Sequence, residues 1–342
     1  MANKILVTGG TGYIGSHTVV ELQESGYEVI VVDNLSNSSI DVLDNIEKIT
    51  EIKPAFEQFD LADAKKTDEF FSRNSDIDAI IHFAASKAVG ESVQKPLLYY
   101  RNNLVSLMNL LDCQLKYNVA NIVFSSSCTV YGQPDVLPVT EETPRKDAES
   151  PYGNTKRVNE DILNDTIAAN PVLKGIALRY FNPIGAHPSA LIGELPLGVP
   201  QNLVPFITQT AAGLRDELKV FGDDYDTVDG SAVRDYINVV DLARAHVVAI
   251  ERLLGNKNKN NYEIFNLGTG NGASVLEIVN GFEKATGVKL NYKIVARRAG
   301  DIEKIWADTT FANEELGWKA EKGLEETLLS AWNWEKRVRG IK

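Results

Sequence analysis

A glycine-rich segment near the start of the chain constrains the fold more than any other feature. Residues 8–15 read TGGTGYIG and lie between a predicted buried strand and a predicted helix. Glycines at positions 9, 12 and 15 permit a tight turn, close approach of a pyrophosphate and close packing of the helix on the strand. The start of the helix also offers free backbone amides to phosphate groups. The segment therefore predicts a dinucleotide-binding loop, and the competing interpretation is a glycine turn with a purely structural role.

An acidic residue favours the first interpretation. Asp33 ends the second predicted strand, about 20 residues after the loop, where a carboxylate would hydrogen-bond the adenine ribose hydroxyls. A carboxylate in that place repels a 2′-phosphate. The sequence therefore favours NAD over NADP as the cofactor.

The pattern of apolar residues extends this prediction to the fold. Short β-branched runs alternate with longer amphipathic segments, which is typical of a Rossmann-like, doubly wound parallel sheet in an α/β protein. The predicted strands are 4–8, 28–32, 55–59, 79–83, 121–125, 175–180 and 262–267. The predicted helices are 13–25, 63–72, 97–117, 151–169 and 240–254.

The character of the sequence changes after residue 181. Residues 182–205 contain five prolines and three glycines, which indicates irregular chain lining a site. We expect an NAD-binding domain over residues 1–181 and a smaller mixed α/β substrate-binding domain over residues 182–342. Part of the second half, about 236–267, is expected to return to the first domain, and the charged end, 335–342, is expected to be solvated chain.

Charge and cysteine content limit the possible partners. The formal net charge of −12 and the isoelectric point near 5.0 argue against nucleic acid or an anionic membrane surface as a partner. An anionic substrate then needs arginines placed locally. The two cysteines and four histidines have no metal-ligand spacing, so no metal site is expected. We expect a cytoplasmic protein, because no apolar stretch reaches ~20 residues and the strand predicted from Lys4 leaves no room for a signal peptide.

A tyrosine and a lysine stand at the start of the predicted helix 151–169. Tyr152 and Lys156 are four residues apart, so their side chains share one helix face. A free tyrosine has a pKa of ~10, and lowering that pKa to near 7 takes ~4 kcal/mol, which a nearby ammonium group can supply. Ser127, after the fifth predicted strand, is placed to hydrogen-bond a reacting oxygen. Taken alone, the pair is more simply interpreted as surface packing and the serine as part of a turn.

The glycine spacing, together with Ser127, Tyr152 and Lys156 in this order, resembles the extended short-chain dehydrogenase/reductase superfamily. The resemblance implies that these three residues are catalytic. Within the superfamily, dTDP-glucose 4,6-dehydratases and UDP-glucuronate decarboxylases carry an acidic residue shortly after the catalytic serine or threonine. Here Cys128 and Thr129 follow Ser127, so elimination lacks its acid.

Three further segments resemble UDP-glucose 4-epimerases. They are 87–93 (KAVGESV), 179–188 (RYFNPIGAHP) and 233–237 (VRDYI). The resemblance runs nearly end to end, and it implies reversible epimerisation at carbon 4 of UDP-glucose and UDP-galactose through a transient 4-keto sugar and tightly bound NAD. It also implies a homodimer that pairs helices 97–117 and 151–169.

The same resemblance implies which residues hold the ligands. Those for NAD are Gly9, Gly12, Tyr13, Ile14, Gly15, Asp33, Asn34, Asn37, Ser38, Asp60, Leu61, Phe83, Ala84, Lys87, Asn102, Tyr152, Lys156 and Phe181. Those for the UDP-sugar are Lys87, Ser127, Tyr152, Asn182, Asn202, Phe221, Arg234, Arg298, Asp301 and Ile305. In this assignment the diphosphate is held by Asn202, Arg234 and Arg298. Phe221 stacks near the uracil, and Asp301 binds the uridine ribose.

Two other functions stay open at this point. Ile305 falls where epimerases of this family carry a residue that shapes the sugar pocket, and its intermediate size leaves access for N-acetylated sugars open. A UDP-N-acetylhexosamine 4-epimerase, or an enzyme of dual specificity, is therefore the nearer alternative. The alternative of another class is a non-catalytic NAD-binding protein of the same fold, which would have no need of Ser127, Tyr152 and Lys156 together.

Overall fold

The computed structural model describes residues 2–298 and 302–342. The strands are β1 (Lys4–Thr8), β2 (Glu28–Asp33), β3 (Ala55–Gln58), β4 (Ala79–His82), β5 (Asn121–Ser125), β6 (Lys174–Tyr180), β7 (Asn182–Ile184), β8 (Leu218–Phe221), β9 (Val233–Asn238), β10 (Tyr262–Leu267), β11 (Gly272–Ser274), β12 (Tyr292–Val295) and β13 (Lys304–Ile305). The α-helices are α1 (Tyr13–Glu24), α2 (Asp41–Thr50), α3 (Ala64–Arg73), α4 (Val89–Gln94), α5 (Pro96–Tyr117), α6 (Pro151–Ala169), α7 (Leu203–Ala211), α8 (Val239–Leu254), α9 (Val275–Thr286) and α10 (Leu324–Arg339). A 3-10 helix, Cys128–Tyr131, follows β5, and a π-helical turn, Ala312–Leu316, precedes α10.

Seven strands form one parallel sheet in the order β10-β6-β5-β4-β1-β2-β3. The chain builds outward from β1 to β3 and then resumes at β4 on the other side of β1. This is the doubly wound arrangement, and it opens a crevice at the carboxyl ends of β1 and β4. The predicted Rossmann-like α/β fold is confirmed.

Alternate side chains along the strands fill two cores, one on each face of this sheet. On β1, Ile5 and Val7 pack in one core and Leu6 in the other, and all three are fully buried. Fully burying a side chain of this size stabilises the fold by about 1.5–3 kcal/mol. Because helices cover both faces, the strands need continuous apolar runs. Those runs are the pattern that predicts the strands from the sequence.

The predicted strands and helices are present with ends that differ by at most one residue. Helix α2 was not predicted, although its apolar residues Val42, Leu43, Ile46 and Ile49 have helical spacing and two of them are buried. The prediction of solvated chain over 335–342 is wrong for Glu335, which is buried on α10, whereas Arg337 and residues 339–342 are exposed. Glu335 on α10 is 2% exposed and accepts a hydrogen bond from Oγ1 of Thr208 at 3.2 Å. Among the described helices, none is both long enough and apolar enough to cross a membrane.

The remaining strands form two small sheets. Strand β9 pairs with β7, β11 and β13, and β12 pairs with β8. Helices α7, α9 and α10 enclose a third core that includes Ile207, Phe282 and Trp332. Two elements from the second half of the chain lie on the seven-stranded sheet, since β10 pairs with β6 and α8 packs against α1.

Three histidines are buried in the larger part of the molecule. His17, His82 and His246 are at most 2% exposed. Burial lowers the pKa of His17 and His82 to about 3 and the pKa of His246 to about 4. All three are therefore neutral at pH 7, since an unpaired charge is costly in a core.

The free energy of unfolding should fall as the pH drops below the ordinary histidine pKa of 6.5. Below pH 6.5 the histidines of the unfolded chain bind protons. In the folded chain they stay neutral until the pH approaches their lowered pKa values. Each histidine should lower the free energy of unfolding by roughly 2 kcal/mol between pH 7 and pH 5. Urea unfolding at these two pH values measures the loss. A His246→Gln variant should show a shallower pH dependence, and a wild-type free energy that does not change over this range would contradict the account.

Candidate active site

The glycine-rich loop joins β1 to α1 at the carboxyl end of the seven-stranded sheet. Gly9 has φ +72, a left-handed conformation, and a Cβ there would lie 2.8 Å from the backbone nitrogen of Ala84. A Cβ on Gly15 would lie 2.2 Å from the carbonyl oxygen of Gly9. Neither position accepts a side chain without movement of the backbone. The two glycines therefore let β1, α1 and the segment after β4 approach one another closely.

The first turn of α1 has the features of an anion site. Gly12 is the N-cap of the helix, and no side chain caps it. The amides of Tyr13, Ile14 and Gly15 therefore lack helical partners. With the positive end of the helix dipole they fit a pyrophosphate group.

Asp33 ends β2 beside this loop and is 8% exposed. Its carboxylate accepts hydrogen bonds from the N–H of Leu35 at 2.9 Å, the N–H of Thr11 at 3.3 Å and the hydroxyl of Ser38 at 3.4 Å. Oγ1 of Thr11 and Oγ of Ser38 lie 2.7 Å apart. Thr11 was missed by the sequence reasoning, although it lies inside the glycine-rich segment. This cluster of a carboxylate and two hydroxyls fits the hydroxyls of a ribose.

The other predicted cofactor residues follow neighbouring strands. Those on loops are Asn34, Asn37 and Ser38 after β2, Asp60 and Leu61 after β3, and Phe83 and Ala84 after β4. The ring of Phe83 lies 4.6 Å from the ring of His246, and Nδ2 of Asn102, on α5, donates to Oγ of Ser86 at 3.1 Å. Because the carboxyl ends of parallel strands share one edge of a sheet, the fold brings these segments to one crevice.

The predicted catalytic residues meet at the carboxyl end of β5. The side chain of Ser150 caps α6, which places Tyr152 and Lys156 in its first turns. Nζ of Lys156 donates to the carbonyl oxygen of Ser125 at 2.5 Å and lies 6.0 Å from the ring centre of Tyr152. Ser127, the N-cap of the 3-10 helix after β5, is close enough to the Tyr152 phenol to lower its pKa. The structure thus brings all three side chains together.

Burial controls the charge of this group. Tyr152 is 9% exposed and Lys156 is 3% exposed. Burial raises the pKa of the Tyr152 phenol well above its ordinary value, and the hydrogen bond from Ser127 lowers it by less. Burial lowers the pKa of Lys156 to about 7, against the opposing charge of Glu160. The prediction that Lys156 brings the pKa of Tyr152 to near 7 is wrong for this arrangement, because the ammonium group is itself desolvated and donates to a carbonyl oxygen.

A buried ion pair adjoins the predicted catalytic residues. The side chains of Glu160 and Arg179 are 2% and 3% exposed, and two hydrogen bonds of 2.9 and 2.7 Å join them. The hydroxyl of Ser126 also donates to Glu160, at 2.5 Å. The ion pair is therefore tied to the segment that carries Ser127. The sequence reasoning missed Glu160, although it lies one helical turn after Lys156 on the same face.

Several predicted substrate residues adjoin Ser127. Two residues of strand β9 pair with predicted substrate residues. Arg234 lies opposite Ile305 of β13, and Tyr236 lies opposite Asn182 of β7. Ile305 is 2% exposed and packs in a small core with Phe181, against which Cys128 also packs. The charge of Arg234 acts on the thiol of Cys128, so the guanidinium lies near the residue that follows Ser127. The predicted substrate residues Arg234 and Ile305 therefore lie near Cys128, next to the predicted catalytic Ser127.

The other predicted substrate residues form two further clusters. Phe221, at the end of β8, is 37% exposed, and the guanidinium of Arg298 lies 5.7 Å from its ring. Lys87 and Asn202 both donate to the carboxylate of Glu194, a residue that the sequence reasoning missed. The prediction for Asp301 falls outside the described residues.

Neither cysteine is activated. Cys113 and Cys128 are free thiols, and burial raises their pKa values to about 11 and about 12. Both are therefore protonated at neutral pH. Over residues 2–298 and 302–342, no group of three or more His, Cys, Asp and Glu side chains is arranged to hold a metal ion.

Comparison with known proteins adds the following similarities. A family model described as GDP-mannose 4,6 dehydratase matches residues 6–330. UDP-glucose 4-epimerase 2 of Arabidopsis thaliana is 51% identical over 98% of this chain and 95% of its own length. UDP-glucose 4-epimerase of Bacillus subtilis is 51% identical over 99% of this chain and 98% of its own. The crystal structure of UDP-glucose 4-epimerase from Bifidobacterium longum in complex with NAD+ and UDP has a TM-score of 0.94 and 47% identity, covering 99% of this chain and 100% of that one.

Replacing Glu160 by glutamine should lower the free energy of unfolding by about 3–5 kcal/mol, because the charge of Arg179 is left buried without its partner. The control is Glu57→Gln, which removes a carboxylate 2.6 Å from the exposed Arg73. This change should cost no more than about 1 kcal/mol. Urea unfolding of the two variants measures the difference, and equal losses would show that the buried pair has no special weight.

Proposed function

The chain belongs to the UDP-glucose 4-epimerase family of extended short-chain dehydrogenases/reductases, and we propose that it carries out this family's reaction with Tyr152 as the base. The protein catalyses reversible epimerisation at carbon 4 of UDP-glucose and UDP-galactose, with NAD as its cofactor. The observation that carries the proposal is the meeting of Ser127, Tyr152 and Lys156 at the carboxyl end of β5, in the sheet that also carries the phosphate loop. The similarity to a dehydratase family model does not imply elimination, because Cys128 and Thr129 follow Ser127 and supply no acid.

The crevice at the carboxyl ends of β1 to β4 is the proposed place of the cofactor. The amides of Tyr13, Ile14 and Gly15 would hold its pyrophosphate, and Asp33 the adenine ribose. Lys156 and Phe181 would hold the nicotinamide side. NAD, when bound, supplies a hydride acceptor and a cationic ring that favours the phenolate form of Tyr152.

Tyr152 is the proposed carrier of the proton. As a phenolate it takes the proton of the sugar 4-hydroxyl, and it returns that proton after the sugar has presented its other face. Ser127 lies close to Tyr152 and is the proposed partner of the same sugar oxygen. Lys156 has a pKa of about 7, so it supplies positive charge to a buried phenolate near neutral pH. Because the group is buried, each of these interactions is stronger than it would be in water.

Local arginines would supply the attraction for an anionic nucleotide. The net charge of −12 gives no long-range attraction. We assign the diphosphate to Asn202, Arg234 and Arg298, because guanidinium groups match phosphate geometry. The half-exposed ring of Phe221, with Arg298 beside it, is the proposed platform for the uracil. Asp301 is proposed for the uridine ribose from the resemblance alone.

We also propose a homodimer formed through α5 and α6. The apolar side chains of Leu97, Leu98, Met108 and Leu115 on α5 are 65%, 46%, 41% and 38% exposed. Exposed apolar side chains in such a number on one helix are typical of an interface. A second copy of this chain would cover them.

The proposed division of the chain is an NAD-binding domain over 1–181 and a UDP-sugar-binding domain over 182–342, with about 236–267 returning to the first. The position of β10 in the large sheet and the packing of α8 on α1 support that division. We propose a cytoplasmic location, which free Cys113 and Cys128 suit because the cytosol keeps thiols reduced.

Incubation of the purified protein with UDP-galactose tests the reaction. We expect UDP-glucose to accumulate to an equilibrium mixture without any added oxidant, since the cycle is redox-neutral. A purified protein that contains no NAD and converts no UDP-galactose would instead support the non-catalytic alternative.

Replacing Tyr152 by phenylalanine removes the proposed base while keeping the ring. The turnover number for UDP-galactose should fall by about 100- to 10,000-fold, the usual contribution of a general base. The control is Tyr117→Phe, which removes a hydroxyl at the end of α5 that donates to Asp68 on α3 and should leave turnover unchanged. Near-normal turnover in Tyr152→Phe, with NAD content equal to that of the wild type, would falsify the assignment.

The size of residue 305 tests the alternative of N-acetylated substrates. Ile305 is buried next to Phe181 and Cys128, so a larger side chain reduces the space there and a smaller one enlarges it. Ile305→Tyr should lower the ratio of kcat/KM for UDP-N-acetylgalactosamine to that for UDP-galactose, and Ile305→Ala should raise it. A change of about tenfold or more is expected in each direction. The ratio is insensitive to general damage, and the same ratio in both variants would mean that Ile305 does not control this choice.

A further inference from the structure

One carboxylate holds two of the groups assigned to the substrate. Oε1 of Glu194 accepts hydrogen bonds from Nδ2 of Asn202 at 2.7 Å and from Nζ of Lys87 at 3.3 Å. The side chain of Glu194 is only 11% exposed, whereas that of Lys87 is 52% exposed. The glutamate is therefore the inner member of the cluster and the lysine lies toward solvent.

The backbone on both sides of Glu194 is held in place. Nε1 of Trp334, on α10, donates to the carbonyl oxygen of Glu194 at 3.0 Å. The neighbouring Gly193 packs so closely on Trp334 that a Cβ would lie 2.5 Å from its indole ring. Gly193 also forms a bridge with Ala186. The carboxylate is thus presented to its two donors by a fixed segment of chain.

The same cluster adjoins the start of α1. Nζ of Lys87 lies 5.8 Å from the ring centre of Tyr13, and the hydroxyl of Tyr13 donates to the carbonyl oxygen of Gly185 at 2.7 Å. The charge of Glu194 adds to the burial that raises the pKa of Tyr13. Glu194 therefore lies at the junction of the phosphate loop and the assigned substrate residues.

We propose that Glu194 is an internal anion that occupies the donors of Lys87 and Asn202 until the negatively charged part of a UDP-sugar displaces it. The proposal rests on the proposed function, and within it on the assignment of Lys87 and Asn202 to the substrate. A phosphate oxygen and a carboxylate oxygen are acceptors of the same charge, so they compete for the same N–H groups. Because a bound nucleotide must compete with Glu194 for these N–H groups, the carboxylate weakens nucleotide binding and favours product release. Glu194 thereby sets the affinity of the site for the nucleotide.

Replacing Glu194 by glutamine tests the proposal. Glutamine keeps the size of the side chain and the backbone bond to Trp334, but it removes the charge that holds Lys87. The Kd for UDP, measured by calorimetry, should fall by about three- to tenfold, the range expected from an ion pair of about 1 kcal/mol. The KM for UDP-galactose should fall with it. A Kd equal to or higher than that of the wild type would overturn the proposal.

The matched control is Glu283→Gln. Glu283 is 16% exposed and pairs with Lys289 at 2.5 Å, so its burial and pairing resemble those of Glu194. It lies on α9, among none of the residues assigned to a ligand. The Kd of the Glu283→Gln variant for UDP should equal that of the wild type. A fall in Kd as large as that of Glu194→Gln would show that loss of any such charge has this effect, and it would overturn the proposal.

Glu194→Asp separates displacement from simple charge repulsion. Aspartate keeps the charge, but it is shorter by one methylene and reaches both donors less well. If the carboxylate is displaced by UDP, Glu194→Asp should bind UDP more tightly than the wild type. If the carboxylate only repels UDP, the variant should bind UDP as the wild type does, and that result would overturn the proposal.

A wild-type protein that neither binds UDP nor converts UDP-galactose would refute the proposed function as a whole. A converting wild type with no gain in Glu194→Gln refutes only the role of Glu194.

Discussion

The cost of burying charge governs the arrangement at the carboxyl ends of β5 and β6. Glu160 and Arg179 are almost fully buried and are joined by two hydrogen bonds. Lys156 is equally buried and donates to the carbonyl oxygen of Ser125. An unpaired ion in such surroundings costs several kcal/mol. The positions of α6 and of the segment after β5 are therefore set by the need to pair these groups, and the proposed catalytic side chains lie on the same two segments.

The same burial shapes the chemistry. It raises the pKa of Tyr152 and lowers the pKa of Lys156 to about 7, so burial disfavours the charged form of both side chains. A buried phenolate then forms only where positive charge compensates it, and the low dielectric makes that compensation strong. The base is thus coupled to its surroundings more closely than helical spacing alone suggests. Positive charge in the site is therefore part of what the proposed role of Tyr152 as a base requires.

Much of the fold and the first half of the site could be predicted because they follow from local rules. The glycines at 9 and 15, Asp33 at the end of a strand, and the shared helix face of Tyr152 and Lys156 all follow from short-range spacing. The direction of the Tyr152 pKa shift could not be predicted in this way, because burial is a property of the whole packed structure. The prediction of a lowered pKa was wrong for that reason.

Other features depend on residues that are distant in sequence. Glu194 meets Lys87 across 107 positions, and no local pattern marks that contact. Glu160 and Arg179 are 19 positions apart, on a helix and on a strand whose relative placement only the fold provides. Helix α2 differs from these, because the helical spacing of its apolar residues is a local property of the sequence.

The central claim is that one site removes hydride from carbon 4 and returns the same hydride to the opposite face. UDP-galactose deuterated at carbon 4 tests this directly when the purified protein converts it in ordinary water with excess unlabelled NAD in solution. Mass spectrometry or proton NMR of the UDP-glucose then reports the label. The account predicts that deuterium is fully retained at carbon 4. Loss of deuterium to water, or its appearance in the dissolved NAD pool, would contradict it.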